Sequence, residues 1–152
     1  MEEGSGEKIR RIVVAVDSSE NSRKCAGFAA SLANATGCET IVLTVIRNSD
    51  VVDTEGRIDH DKLQKTEEEA RGLHEALVIG SNMFTFRNKI RSEIVRADND
   101  DVADAICKYC AETDADVVII GRRGLGFFKG MLIGSVSEKV ARNCQCSVTI
   151  VK

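Results

Sequence analysis

The sequence predicts a single doubly wound α/β domain, built on a five-stranded parallel sheet with helices on both faces. Five short runs rich in Val and Ile alternate with four stretches of helical character along the 152 residues. This alternation is typical of parallel strands joined by right-handed helical crossovers. The runs are apolar on both sides, as expected of strands buried between two layers of helices. We expect the strand order 3-2-1-4-5.

The first half of the chain contains two of these strands and two of the helices. The run KIRRIVVAVD predicts the first strand, which ends near Asp17. In the helix that follows, Ser19 is the candidate N-cap and Gly37 is the residue expected to end the helix. The second strand is CETIVLTVIRN. After a polar connection, DKLQKTEEEARGLHEALVIG predicts a long helix. The apolar stripes of the two helices are Cys25, Phe28, Ala29 and Leu32, then Leu63, Ala70, Leu73 and Leu77.

The second half continues the same alternation to the last residue. KIRSEIVRA is the third strand, and the helix in DNDDVADAICKYCAETDA begins with acids that the helix dipole favours. DVVIIG is the fourth strand, SVSEKVARNC the last helix and CSVTIVK the fifth strand. We therefore assign one domain to residues 8–152 and a flexible polar tail to residues 1–7.

Composition excludes several classes of protein. A net charge of −3 gives no reason to expect binding to nucleic acid or to an anionic membrane surface. No apolar run approaches the roughly 20 residues that span a bilayer, and the N-terminus does not resemble a signal peptide. We expect a cytoplasmic protein whose six cysteines are thiols rather than disulfides.

In open α/β sheets, ligands bind beyond the carboxyl ends of the strands, where the strand order reverses. Asp17 follows the first strand and Gly121 ends the fourth, so the predicted order places them on either side of one crevice. Gly121 also opens the segment GRRGLGFFKGMLIGS, which contains five glycines and the cations Arg122, Arg123 and Lys129. Glycine-rich backbone leading into a helix start is typical of phosphate binding.

Three simpler or better-known interpretations of this segment compete with phosphate binding. Ser135, followed by Glu138, fits the S-x-x-E capping box, so the serine could serve only to cap a helix. A Walker A loop is excluded because no Gly-Lys-Ser/Thr occurs in the chain. The Rossmann fingerprint is excluded because Lys129 occupies the position of its third glycine.

The spacing of Gly121, Gly124 and Gly134-Ser135 resembles the G-2x-G-9x-G-[S/T] signature of the ATP-binding universal stress proteins. The runs VAVD, IVLTVI and GSVSEKVARNCQCSVTIV are also similar to that family, and the resemblance covers residues 8–152. The chain departs from the family pattern at two turns, Cys146-Ser147 and 97–99. The resemblance implies binding of ATP, or of AMP or ADP, with Mg²⁺ or Mn²⁺ held through the phosphates.

The resemblance also implies a role for each matching residue. Ala15 and Val45 would border the adenine, Asp17 the ribose, and the glycine segment the ribose and phosphates. The alternative for Asp17 is an acid at a strand end that only bonds the nearby helix start. The implied ligand residues are Ala15, Asp17, Val45, Ile120, Gly121, Arg122, Arg123, Gly124, Lys129, Gly134, Ser135, Val136 and Ser137.

No catalytic set can be assembled from the sequence. His60 and His74 both lie in the polar connection or helix that follows the second strand, and we interpret both as surface residues. No residue suited to positioning a water presents itself, so ATP hydrolysis is expected to be slow or absent. An adenine-nucleotide α-hydrolase would need an SGGxDS-type loop where this chain has DSSENS, and a response regulator would need an acid where it has IVRA.

The cysteines invite a zinc or redox interpretation at Cys107-x-x-Cys110 and Cys144-x-Cys146. We interpret them instead as small apolar side chains of the core, and predict no metal site. The apolar residues Phe127, Phe128, Met131, Leu132 and Ile133 are expected to cap the helix and sheet, with a partner surface as the alternative.

Two functions follow from these observations. The first is a stress-response or signalling module that binds adenine nucleotide and an unknown protein partner. The second is a dimer that resembles universal stress proteins but acts by partner binding without nucleotide. In both, the last strand is a sheet edge, and members of this family often form dimers through it, so we expect a homodimer.

Overall fold

The computed structural model describes residue 6 and residues 8–83, 89–122 and 133–152. Of the predicted N-terminal tail, only Gly6 lies among them. The strands are β1 (Arg11–Ala15), β2 (Glu39–Arg47), β3 (Ile90–Ala97), β4 (Val117–Gly121) and β5 (Ser147–Val151). The helices are α1 (Asn21–Thr36), α2 (His60–Gly80), α3 (Val102–Glu112) and α4 (Ser135–Asn143).

The five strands form one parallel sheet in the order β3-β2-β1-β4-β5, as predicted. The order reverses at β1, which pairs with β2 on one side and β4 on the other. The two edge strands among the described residues are therefore β3 and β5. This topology makes the gap beyond the carboxyl ends of β1 and β4 the switch point at which α/β sheets bind ligands.

Alternate residues of β1 face two separate apolar cores, one on each side of the sheet. Ile12 and Val14 belong to the core beneath α1 and α2, whereas Val13 belongs to the core beneath α3 and α4. All three are fully buried. A strand covered on both faces must be apolar throughout, which is why this run shows no polar alternation.

The α1 helix begins and ends with particular backbone geometries. It ends at Gly37, whose φ of 68° is the left-handed conformation that glycine adopts without strain. At its start, the predicted cap Ser19 is wrong, because the N-cap position is occupied by Glu20. Phe28 is also not part of the apolar stripe, since 45% of it is exposed.

The polar connection after β2 contains two structures that its sequence did not predict. A short 3₁₀ helix covers Asn48–Val51, and an isolated antiparallel bridge joins Val52 to Ile58. Val51 is completely buried and anchors this connection to the domain. Among the described residues, no helix is both long and apolar enough to cross a lipid bilayer.

Candidate functional site

The predicted adenine-side residues lie at the carboxyl edge of the central strands. Ala15, the last residue of β1, is in register with Ile120 of β4 and with Leu43 of β2. Val45 lies two residues beyond Leu43 on β2 and packs against the core beneath α3 and α4. The fold thus brings Ala15, Val45 and Ile120 to one edge of the sheet, on three adjacent strands.

Asp17 is tied to the start of α1 by a reciprocal set of hydrogen bonds. Its Oδ1 accepts from the Ser19 N–H at 2.9 Å and from the Ser22 hydroxyl at 3.2 Å. The Asp17 N–H in turn donates to Ser22 Oγ at 2.8 Å. Asp17 therefore does bond the residues that lead into α1, and whether it also contacts a ribose stays a prediction.

The glycine segment leaves β4 at Gly121 and returns to the same edge of the sheet at Gly134. The Gly134 N–H donates to the Arg122 carbonyl at 2.7 Å, and the Ser137 hydroxyl donates to that carbonyl at 3.1 Å. The Arg122 N–H donates to the Val151 carbonyl of β5 at 2.8 Å, which fixes the outgoing end. Three predicted ligand residues, Arg123, Gly124 and Lys129, lie outside the described residues, as does most of the predicted apolar cluster, Phe127, Phe128, Met131 and Leu132.

The α4 helix starts at Ser135 as predicted, but the alternative role of Ser135 as a cap is wrong. Gly134 occupies the N-cap in extended backbone, Ser135 is the first helical residue, and no side chain caps the helix. The Ser135–Glu138 capping box is therefore not formed, and Glu138 instead pairs with Arg142 at 2.8 Å. Ser135 is exposed, which leaves its hydroxyl accessible to a ligand, whereas Ser137 is buried and its hydroxyl bonds backbone carbonyls.

The four described helices differ in what stands at their starts. Asp59 of α2 accepts from two backbone N–H groups, and Asp101 of α3 accepts from one. At α1 the N-cap is the acidic Glu20, whose side chain makes no cap hydrogen bond, and Asp17 accepts from the Ser19 N–H before the helix. Only α4 among them begins with a glycine, which has no side-chain acceptor for the first N–H groups of the helix. Those N–H groups and the positive end of the helix dipole make this start the one best suited to an anion.

His74 is a buried residue and not a surface residue as predicted. Only 2% of it is exposed, whereas His60 is exposed as expected. Its Nε2 lies 2.7 Å from Thr44 Oγ1 on β2, and its Nδ1 lies 2.6 Å from Ser92 Oγ on β3. A signal for this was present in the sequence: His74 follows Ala70 by four residues and precedes Leu77 by three, on the apolar stripe of α2.

The hydrogen bonds around His74 determine its tautomer. Thr44 Oγ1 donates its only proton to the Val16 carbonyl at 3.0 Å, so His74 Nε2–H must donate to Thr44. Nδ1 of the neutral ring then accepts from Ser92. Desolvation by burial lowers the pKa of His74 to about 4, which keeps the ring neutral. This network joins α2 to Val16 and Thr44, the residues that precede Asp17 and Val45.

Comparison with known proteins agrees with this architecture. The model of the universal stress protein family matches residues 8–152. The universal stress protein YxiE of Bacillus subtilis is 27% identical over 149 residues, which cover 95% of this chain and 99% of that protein.

Two solved structures share the fold and contain a nucleotide. A universal stress protein in complex with cAMP has a TM-score of 0.69 at 23% identity, covering 95% of this chain and 98% of that one. A universal stress protein from Archaeoglobus fulgidus in complex with dAMP has a TM-score of 0.65 at 20% identity, covering 95% of this chain and 99% of that one. At these identities the likeness concerns the fold.

Proposed function

Because the chain belongs to the universal stress protein family, we propose that it is a cytoplasmic stress-response or signalling module that binds ATP. AMP or ADP would occupy the same site, and Mg²⁺ or Mn²⁺ would accompany the phosphates. The nucleotides in two structural relatives, cAMP and dAMP, support the adenine part of this proposal. Occupancy of the site would change the affinity for a protein partner.

The single observation that carries the proposal is the glycine start of α4 beside the switch point. Gly134 is held against the end of β4 by its 2.7 Å hydrogen bond to the Arg122 carbonyl. The N–H groups at the start of α4 have no side-chain cap, and β1 lies next to β4. A phosphate bound there would accept hydrogen bonds that aspartates accept at the starts of α2 and α3.

Each side of the crevice has a proposed part in binding. The backbone at Val45 and the small side chain of Ala15 would border the adenine. Asp17, whose carboxylate is held by Ser19 and Ser22, would accept from ribose hydroxyls rather than approach the phosphates, which it would repel. The outer N–H groups of α4 and the hydroxyl of Ser135 would contact the phosphates.

We expect hydrolysis of the bound ATP to be slow or absent. A hydrolase must position a water and stabilise the transferring phosphoryl group. His74 does not serve as the base, because its two ring nitrogens are engaged by Thr44 and Ser92 inside the domain. Asp17 is likewise engaged by Ser19 and Ser22.

The direct test is to denature freshly purified protein and identify the released nucleotide by chromatography. Calorimetric titration of the emptied protein with ATP and Mg²⁺ follows. Recovery of adenine nucleotide, or a saturable heat of binding, is expected. Neither being found would overturn the proposal in favour of a nucleotide-independent dimer that acts by binding a partner.

The substitution Gly134→Asp tests the location of the phosphates. The extended backbone of Gly134 (φ −69°, ψ 155°) accommodates any residue, and aspartate is a better N-cap than glycine by a few tenths of a kcal/mol. We therefore expect an unchanged or slightly higher melting temperature together with a loss of ATP affinity of about tenfold or more, since a carboxylate would replace the phosphate.

Gly134→Asn is the matched control for the charge of that aspartate. It caps the helix with a side chain of the same size, so it should weaken ATP binding less than Gly134→Asp does. Equal ATP affinity in the wild type and in Gly134→Asp would show that the phosphates bind elsewhere.

A further inference from the structure

Four of the six cysteines meet at the edge of the sheet opposite the nucleotide site. Cys107 and Cys110 lie one turn apart near the end of α3, Cys144 follows the end of α4, and Cys146 precedes β5. The two helices pack against each other, and so their ends converge where β4 and β5 begin. Three separate elements thus contribute thiols to one cluster.

The sulfur atoms in this cluster are close enough to share one ion. The Sγ atoms of Cys110, Cys144 and Cys146 all lie within 4.8 Å of one another. Cys107 adjoins this group, since its thiol and that of Cys144 influence each other's pKa. Four thiolates at 2.3 Å from a tetrahedral zinc are separated from each other by roughly 3.8 Å. Cys107 lies outside the group of three sulfur atoms that are within 4.8 Å of one another, so a rotation of its side chain would have to bring the fourth thiolate to the ion.

Packing alone accounts less well for this cluster than for the other two cysteines. Cys25 and Cys38 lie singly among aliphatic side chains of the core beneath α1 and α2. Cys107, Cys144 and Cys146 are only half-buried, and an open cavity of about 200 Å³ is lined by Cys110 and Cys146. An ion could therefore reach the sulfur atoms from solvent without opening the core.

The electrostatic surroundings favour a cation and disfavour bare thiolates. The carbonyl ends of α3 and α4, both near the cluster, carry the negative end of the helix dipole. Burial and the neighbouring thiols raise the pKa of Cys110. A bound divalent ion would displace the thiol protons and offset the charge of the thiolates that it binds.

We propose that Cys107, Cys110, Cys144 and Cys146 form a binding site for a thiophilic cation, with Zn²⁺ as the ion that fits the ligand set. Thiolate ligands select zinc and Cu(I) over Mg²⁺ or Ca²⁺. Cys110, Cys144 and Cys146 are the three ligands already gathered, and Cys107 is the fourth. Binding releases the thiol protons to solvent and involves no change of oxidation state. None of these four residues belongs to the proposed nucleotide site.

The test uses the full chain, reduced, freed of metal by a chelator and titrated anaerobically with Co²⁺. One equivalent is expected to give the thiolate-to-cobalt charge-transfer band and the visible bands of tetrahedral cobalt, and one equivalent of Zn²⁺ should abolish both. Zinc should also raise the melting temperature, because it binds only the folded cluster. Absence of a stoichiometric thiolate spectrum from the reduced protein would overturn the proposal.

Matched substitutions locate the ligands. Cys146→Ala should weaken zinc binding by more than about a hundredfold, beyond the effect of losing an outer-sphere contact. Cys25→Ala makes the same change to a cysteine outside the cluster and should leave the stoichiometry at one. Cys107→Ala, at a half-buried position, should retain binding with a weaker charge-transfer band, since one thiolate of four is lost.

Two results of these measurements would count against the site. An unchanged cobalt spectrum in folded Cys146→Ala, verified by circular dichroism, would exclude a site built on this cluster. A disulfide between any two of the four cysteines in protein purified without reductant, together with no metal uptake after reduction, would show that the cluster is a redox pair.

Discussion

His74 is a buried titratable side chain with a structural part in the domain. It connects α2 to β2 and β3 through two hydroxyl groups, and it reaches the Val16 carbonyl through Thr44. In the unfolded chain the pKa of histidine is about 6.5, whereas burial lowers it to about 4 in the folded chain. Between these values the unfolded state binds more protons than the folded state.

Folding stability should therefore be lost as the pH falls from 6.5 towards 4. The contribution of His74 is fully present above pH 6.5 and declines by roughly 1.4 kcal/mol for each pH unit below it. From pH 7 to pH 5, the wild type should lose roughly 2 kcal/mol through this residue. Urea unfolding at both pH values gives the loss of stability for the wild type and for His74→Gln. Subtracting one loss from the other removes the effect of the carboxylates, which the two proteins share.

His60→Gln is the control for this measurement, because His60 is exposed at the first position of α2. It should show the same pH dependence as the wild type. Parallel stability profiles for the wild type and His74→Gln would contradict the assignment of a buried neutral histidine.

The positions of candidate site residues could be predicted from the sequence where a backbone feature, such as a turn or a strand end, marks them. Gly134 follows from the spacing of glycines, and Asp17 from the end of an apolar strand. The prediction that His74 is a surface residue was wrong. It rested on the polar residue type, whereas the position of His74 on the apolar stripe of α2 with Ala70 and Leu77 indicates burial. Ser137 is a different case, since its bond to the Arg122 carbonyl joins residues separated by 15 positions and has no local signal.

Glycine has opposite effects on folding stability at the end of α1 and inside it. Gly37 ends α1 with a φ of 68°, and a Cβ there would meet nothing within 4 Å. Gly27 lies inside the same helix, and a Cβ there would also meet nothing within 4 Å. Since steric contacts are absent at both, only backbone conformation distinguishes the two positions.

We expect Gly37→Ala to destabilise the domain by about 1 kcal/mol, because alanine is strained at positive φ. Gly27→Ala should stabilise it by about 0.5–1 kcal/mol, because alanine loses less backbone freedom in a helix. Thermal or urea unfolding of the two variants checks the signs. Shifts in the same direction would contradict the left-handed stop of α1.

The helix boundaries were less predictable than the helices themselves. The acidic run before α3 indicates a helix start, yet four consecutive acidic or amide residues, Asp98 to Asp101, leave the first turn ambiguous. Asp101 is the cap, and it also pairs with Lys139 of α4. Lys139 is 38 residues away from Asp101 in the sequence. Which of the four residues caps α3 therefore depends on the packing between α3 and α4.

At the scale of the whole molecule, β5 is an edge strand of the described sheet, and two copies would associate through it in the expected homodimer. Ser147 donates to the Asp116 carbonyl at 3.2 Å, and the Val151 carbonyl accepts from Arg122 at 2.8 Å. Since alternate residues of a strand direct their backbone groups to opposite sides, Val148 and Ile150 direct theirs away from β4. These groups are the ones that a second β5 would use in the proposed homodimer.

Val148→Pro should therefore yield a monomer, because it removes an outward N–H without removing a bond to β4. Val148→Ala removes more of the side chain but retains the N–H, and it should stay dimeric. Light scattering coupled to size-exclusion chromatography distinguishes the two. A wild-type protein that is monomeric, or a dimeric Val148→Pro, would contradict pairing through β5.

The architecture was predictable as a whole because alternation and strand polarity allow few topologies. Five apolar runs separated by helices admit a parallel sheet, and the observed order agrees with that prediction. The gathering of Cys107, Cys110, Cys144 and Cys146 was not predicted. Local sequence shows two pairs of cysteines, and only the packing of α3 against α4 makes them one cluster.

The placement of α4 has a consequence for signalling. Its nine residues span about 14 Å, with an anion site proposed at its first residue and a cation site just past its last. The charge of each ligand complements the dipole at the end of the helix that it contacts. The α4 helix would therefore connect the two binding sites directly. If nucleotide altered zinc affinity tenfold, zinc would by thermodynamic reciprocity alter nucleotide affinity tenfold. The occupancy of each site in such a domain would then depend on the concentrations of both nucleotide and zinc.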